Sequence, residues 1–247
     1  MDTFLKDSLL IFQQLSCESV SLFLLLISCI GILVFHRLYG LVGLYAYTII
    51  AVLASNLHVL KSSYFGSLGE PVALGTVLFA STFLATDLIT EHYGKEKAKS
   101  CIGLVFSTQV LISLFMVFAI AFKPFEEASN LKVHESLEIL FLPSGRILVA
   151  SLVSYVLSQW VDISIFQYVK TLTSGRFLWL RTNLSTLVSG FVDNLTFSFL
   201  AWVVFSPTPV GFHELLWTYV LGTYLSRAVV AFLGTPVIYL SYWTKRI

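Results

Sequence analysis

Charge is what this chain has least of. Only 12% of its 247 residues are Asp, Glu, Lys or Arg, against about 25% in soluble domains, which leaves too little polar surface to hold it in water. The charges present nearly cancel, to +1, so nothing marks an electrostatic footprint for nucleic acid or an acidic partner. Cysteine is scarce as well. Cys17, Cys29 and Cys101 are scattered and odd in number, which excludes a disulfide framework or a zinc-type spacing, and they read as free thiols. There is no H-E-x-x-H, no G-x-S-x-G and no P-loop. His36, His58, His92, His134 and His213 read as dispersed over span ends and loops, so no metal site, no cofactor and no enzyme is expected.

What remains is apolar. Hydrophobic residues make up 57% of the chain and the mean hydropathy is +0.85. A helix that crosses a bilayer needs about 20 mostly apolar residues, and seven segments qualify: 19–36, 40–60, 72–92, 101–122, 146–168, 183–205 and 216–241. The expected fold is all-α, a polytopic membrane bundle of about seven transmembrane helices in a single domain, 1–247. The first segment reads as a retained helix and not a signal peptide, because Asp2, Asp7 and Glu18 do not suit a basic leader and no A-x-A site follows.

Lysines and arginines outside the spans set the orientation. Arg37, Lys95, Lys97, Lys99, Lys170, Arg176, Arg181, Lys245 and Arg246 fall on one side, and Lys6, Lys61, Lys123 and Lys132 on the other. Nine against four places the C-terminus in the cytoplasm and the N-terminus outside. The one long connection, 123–144, carries Glu126, Glu127, Glu135 and Glu138 on the outer side. Val133, Leu137, Leu140 and Phe141 recur there at helical spacing, which predicts a short amphipathic surface helix, either a lid or a solvated acidic loop.

Inside the apolar stretches stand Asp87, Asp162, Asp193 and Arg227. Each costs roughly 2.5–3.5 kcal/mol near a bilayer centre, so together they must pair or face a polar cavity. They fall on helix faces. Tyr155, Gln159, Asp162 and Phe166 form one stripe; Asn183, Thr186, Gly190, Asp193 and Phe197 form another; Phe83, Asp87 and Glu91 stack at intervals of four. Amide, hydroxyl, carboxylate and flat apolar surface together suit a small planar polar molecule.

Each feature also has a plain structural reading. Asp193 and Arg227 form either a helix-locking ion pair or part of a site. Gln159 and Asn183 are either interhelical hydrogen-bond glue or pocket donors. Glu91, His92, Lys95 and Lys97 read as a solvated helix end. Ser55 and Asn56, near His58 and Lys61, read as a snorkelling anchor or as part of an entrance. Asp87 and Asp162 resist a structural reading most, since no basic residue lies near their depth in their own spans.

The runs FLATDLITEHYGKEKAK, LVASLVSYVLSQWVDISIFQYVK and RFLWLRTNLSTLVSGFVDNLTFSFLAW resemble the queuosine-precursor transporters, a branch of the bacterial vitamin-uptake-transporter group. The likeness runs from about Ala54 to Tyr239. It implies an inner-membrane carrier that imports 7-deazaguanine bases such as preQ0, preQ1 or queuine for tRNA queuosine, with a six-helix core (about 40–241) like the substrate-binding subunits of energy-coupling-factor importers. The segment 19–36 is an addition to that core. On this reading Asp162 with Gln159 takes the base edge, since a carboxylate accepts side by side from N1–H and the 2-amino group. Gln159 or Asn183 donates to O6. Phe83, Trp160, Phe166 or Trp179 supplies the aromatic face, and Asp87 serves the cationic arm of an aminomethyl precursor or a gate. Asp193, Glu91 and Asn56 complete the candidate set. The expected partners are the base and the lipid bilayer. Three alternatives stay open: a binding subunit that needs a separate energising module, a carrier of another vitamin-like heterocycle, and a membrane enzyme. The sequence assigns no oligomeric state.

Overall fold

The protein is described from a computed structural model, covering residues 10, 12–66, 70–141, 145–206 and 208–244. Lys6, Lys245 and Arg246 of the charge count, Asp2 and Asp7 of the leader argument, and the last residues of the 123–144 connection lie outside the described residues.

Helix α1 (Cys17–His58) opens on Ser16, whose hydroxyl accepts from Ser19 N at 3.2 Å, a regular N-cap. Its 42 residues are twice a membrane span, and the chain reverses within them. Gly40 takes φ 58°, ψ −130°, a backbone conformation that only glycine adopts without strain. Phe35 then packs on Tyr47, and Gly31 lies against the same ring. In a straight helix Gly31 and Tyr47 would sit about 24 Å apart, so the two halves must fold back on one another. The expected spans 19–36 and 40–60 are these halves.

A short antiparallel hairpin follows, β1 (Ser62–Phe65) paired with β2 (Glu70–Ala73), Ser62 opposite Ala73 and Phe65 opposite Glu70. The expected span 72–92 therefore starts late. Pro71 lacks an N–H and biases the residue before it away from helix, and helix α2 begins at Thr76 and runs to Tyr93. Gly75 stands between them because a Cβ there would come within 2.6 Å of Ser55 O. That contact holds the end of α1 against the start of α2.

Helix α3 (Lys95–Ala121) starts six residues before the expected 101. The KEKAK run is its first turn, where Lys99 pairs with Glu96 at 3.0 Å. Helix α4 (Ala128–Phe141) is the short surface helix expected from the spacing of Val133, Leu137, Leu140 and Phe141, and it has no buried residue. Helices α5 (Gly145–Leu172) and α6 (Leu178–Phe199, continued as a π-helical Leu200–Val204) form an antiparallel pair. After a loop, π-helical Leu215–Leu221 leads into α7 (Gly222–Thr244).

Four of these helices, Cys17–His58, Lys95–Ala121, Ile147–Leu172 and Leu178–Val204, are long and apolar enough to cross a membrane by length and composition. α2 falls short of that measure for a physical reason. Fourteen of its eighteen residues are buried among α1, α3, α5 and α7, so its surface meets protein and not lipid. Apolarity is instead turned outward on the peripheral helices, where Ile27, Ile30, Phe115, Phe118, Val229 and Phe232 are all exposed. The bend at Gly40, the turn at Gly94 and the loop at Gly175 share one end of the bundle, and the hairpin marks the other.

Candidate functional site

Helices α5 and α6 meet in a register that advances four residues at a time. Ser158 Oγ donates to Asp193 Oδ1 at 3.1 Å. One turn along, Ser189 Oγ donates to Asp162 Oδ1 at 2.8 Å. Two further turns bring Lys170 beside Arg181, and both reach Glu91 of α2. A serine opposite each carboxylate is small enough for the backbones to approach and supplies the donor that the carboxylate needs. The result is a column of polar groups, in three levels, through an otherwise apolar bundle.

The level nearest the hairpin is a cleft of about 100 Å³ whose lining includes Asn56, Gly75, Phe79, Ser151, Asp193 and Arg227. Asp193 and Arg227 are ion-paired across α6 and α7, as their matched depth predicts. The Arg227 guanidinium lies 5.1 Å from the centre of the Phe79 ring, and its Nε is buried with no acceptor. Asn56 donates to Gln109 Oε1 at 3.2 Å and accepts from Ser151 Oγ at 3.2 Å, which ties α1, α3 and α5 together at the rim. Ser55 and Asn56 both line the cleft.

In the middle level Asp162 of α5 and Asp87 of α2 are both fully buried and close enough to interact. Gln159 donates to Thr82 Oγ1 at 3.3 Å, while its Oε1 has no donor. The stripe Tyr155, Gln159, Asp162 and Phe166 is buried throughout, and Phe83 is buried with it. None of these five side chains lines the cleft.

The third level is a charged cluster that the sequence reading treated as solvated helix end and loop. Glu91 is almost wholly enclosed. Its Oε1 binds Arg181 Nη2 at 2.7 Å and accepts from the Tyr242 hydroxyl at 2.6 Å, and its Oε2 lies 3.0 Å from Lys170 Nζ. Arg181 was counted with the loop cations. It lies instead in the first turn of α6, 1% exposed, donating to the carbonyls of Gly175 and Arg176. The span drawn from 183 began five residues late. Below the cluster His36 stacks on His92, ring centres 5.2 Å apart, and bonds to the Tyr93 hydroxyl at 3.1 Å. The histidines are therefore not all dispersed, because the reversal at Gly40 carries His36 to the end of α2. Among the described residues no group of three or more His, Cys, Asp or Glu could hold a metal ion.

Other expected residues stand apart. Trp160 and Trp179 are half-exposed on the outer surface. Asn183 donates to Thr235 Oγ1 and Trp179 O, both at 2.8 Å, which matches its reading as interhelical glue. The face of Phe166 is covered by the Arg181 guanidinium at 5.4 Å. Sequence reasoning missed Phe79, Ser158, Ser189, Lys170 and Arg181 as parts of the column. The small residues Ser185 and Ser189, four apart, were the available signal.

A family model described as "Putative vitamin uptake transporter" matches residues 73–241. A probable queuosine precursor transporter of Bacillus subtilis (strain 168) is 30% identical over 223 residues, 90% of this chain and 93% of that protein. The queuosine precursor transporter of Escherichia coli (strain K12) is 29% identical over 135 residues, 55% of this chain and 57% of its own. A probable queuosine precursor transporter of Haemophilus influenzae is 29% identical over 128 residues, 52% and 51% of the two chains. No solved structure matches.

Proposed function

The chain belongs to the vitamin uptake transporter family, and on that premise we propose that it imports a queuosine precursor, a 7-deazaguanine base, through the polar column. It is a multi-pass membrane protein, and its relatives are named as transporters and not as enzymes. The observation that carries the proposal is the Asp193–Arg227 pair in the cleft. A deazaguanine presents a carbonyl acceptor, O6, beside two donors, N1–H and the 2-amino group. Asp193 is a paired acceptor, and Arg227 Nε is an unused donor next to it. Phe79 offers a ring close by, and Asn56 a further amide at the rim. Asp193 is thus a better first contact for the base edge than Asp162, which is sealed beneath it.

The single domain 1–247 would lie in a bacterial inner membrane with the hairpin end outward. Removing the buried Arg181 from the loop count leaves the excess of positive charge at the opposite end, so the C-terminus is cytoplasmic. A reporter active only in the cytoplasm, fused after Ile247, is expected to be active, and signal from a periplasmic reporter at that position refutes the orientation. The function is tested in a bacterium lacking both precursor synthesis and its own transporter. Expression of this chain is expected to restore queuosine in tRNA at low external preQ0 or preQ1. No rescue by any precursor base, with the protein confirmed in the membrane, overturns the assignment.

A further inference from the structure

The Asp87–Asp162 pair is the level of the column that base recognition in the cleft leaves unused. Asp87 Oδ1, Asp87 Oδ2 and Asp162 Oδ2 are buried and have no donor. Gln159 Oε1, on the same face of α5 and also fully buried, has none either. Two ionised carboxylates are acceptors only, so they cannot bond each other without a positive centre between them, and side by side in a bilayer interior they repel.

The charges along the column show the same gap. Four carboxylates (Asp87, Glu91, Asp162 and Asp193) share three basic side chains (Lys170, Arg181 and Arg227). Arg227 is held by Asp193, and Lys170 and Arg181 by Glu91. The column is one positive charge short, and the shortfall sits at Asp87 and Asp162. We infer that this pair is the binding site of one monovalent cation, a proton or a sodium ion, whose entry with the base and release at the other end drive import.

The groups around the pair suit a hard cation, because the nearest side-chain ligands are oxygens: the two carboxylates and the hydroxyls of Ser185 and Ser189. The titratable and charged groups that bear on it are Glu91 on α2 and Arg181 on α6. Lys170 on α5 and Tyr242 on α7 engage Glu91, and Asp193 and Arg227 engage each other one level away. The buried titratable groups of α1 and α3 are Tyr47, His36 and Cys101.

The inference rests on the transport reading, and one preparation tests the two separately. Purified protein in liposomes is given labelled preQ0, an uncharged base, so that no charge on the substrate can stand in for the cation. Exchange of labelled for unlabelled preQ0 without any gradient tests transport, and its absence overturns the transport reading itself. With exchange intact, an inward gradient of either pH or Na+ is expected to concentrate preQ0, about tenfold for a tenfold gradient at one cation per base. The effective gradient names the ion, and accumulation with neither overturns the inference. Asp87→Asn is expected to lower the accumulation ratio to 1, and accumulation at the wild-type ratio overturns the assignment to the pair. Carbodiimide labelling of the wild-type protein, read by mass spectrometry, does not depend on how the variant folds. It is expected at Asp87 or Asp162 and suppressed by raised pH (proton) or by Na+ (sodium), and labelling at neither residue, or labelling that neither condition alters, overturns the assignment.

Discussion

Asp193→Asn with Arg227 left in place is expected to destabilise the protein by about 3–5 kcal/mol, the usual cost of stranding one partner of a buried ion pair. Asp193 is buried, Arg227 is only partly exposed at the cleft, and its Nε already lacks an acceptor, so the guanidinium has little to fall back on. Ser158 also loses its charged acceptor, and the tie between α5 and α6 weakens with it. Arg227→Gln alone should cost a similar amount by leaving Asp193 uncompensated. The double variant Asp193→Asn/Arg227→Gln removes both charges and is expected to recover most of the melting temperature, since two amides of similar size can bond across the same gap. Binding separates the structural role from the functional one. If Asp193 and Arg227 read the edge of the base, the refolded double variant stays at least ten- to a hundredfold weaker for preQ0, from the mismatch of about 1–3 kcal/mol that each wrong donor or acceptor introduces. Normal affinity in a folded double variant would reduce the pair to a helix lock and move the base elsewhere in the column.

Glu91→Gln carries the second large effect. One carboxylate here holds Arg181 of α6, Lys170 of α5 and Tyr242 of α7 against α2, so its loss loosens three helices at once. Arg181 is the critical partner because its side chain is only 2% exposed and cannot recover water without the helix end opening. A loss of about 3–5 kcal/mol is expected, measured as a lower melting temperature in detergent. Tyr242→Phe removes a single hydrogen bond and should cost only about 1 kcal/mol. Equal melting temperatures for wild type and Glu91→Gln would show that the cluster does not hold this end of the bundle together.

Much of this was legible in the residues. Hydropathy marked the two halves of α1 and helices α3, α5 and α6, with starts off by as much as six residues, because contact with lipid is imposed on each helix separately and leaves a local trace. The buried stripe on α5, Tyr155 to Phe166, followed from the 3.6-residue period alone. The matched depths of Asp193 and Arg227 followed from both lying near the middle of their spans. The misses have the same physical origin. Glu91 and Arg181 look like helix-end charges in sequence, and only the packing of α2 against α5, α6 and α7 encloses them. The start of α2 moved to Thr76 because Val72 and Ala73 are as apolar as a helix requires, yet pair as a strand with β1. Trp160 and Trp179 are aromatic at plausible depths, but their helices turn them outward.

The sequence by itself determined that this is a helical membrane protein with four charges it must hide, and on which face of its helix each of the three aspartates lies, since burial and periodicity act over a few residues of one helix. Which faces meet was decided only by the tertiary structure. Whether a carboxylate finds an arginine, a serine or another carboxylate depends on the register of helices distant in the chain. That register placed Asp193 with Arg227, gave Glu91 two cations, and left Asp87 facing Asp162.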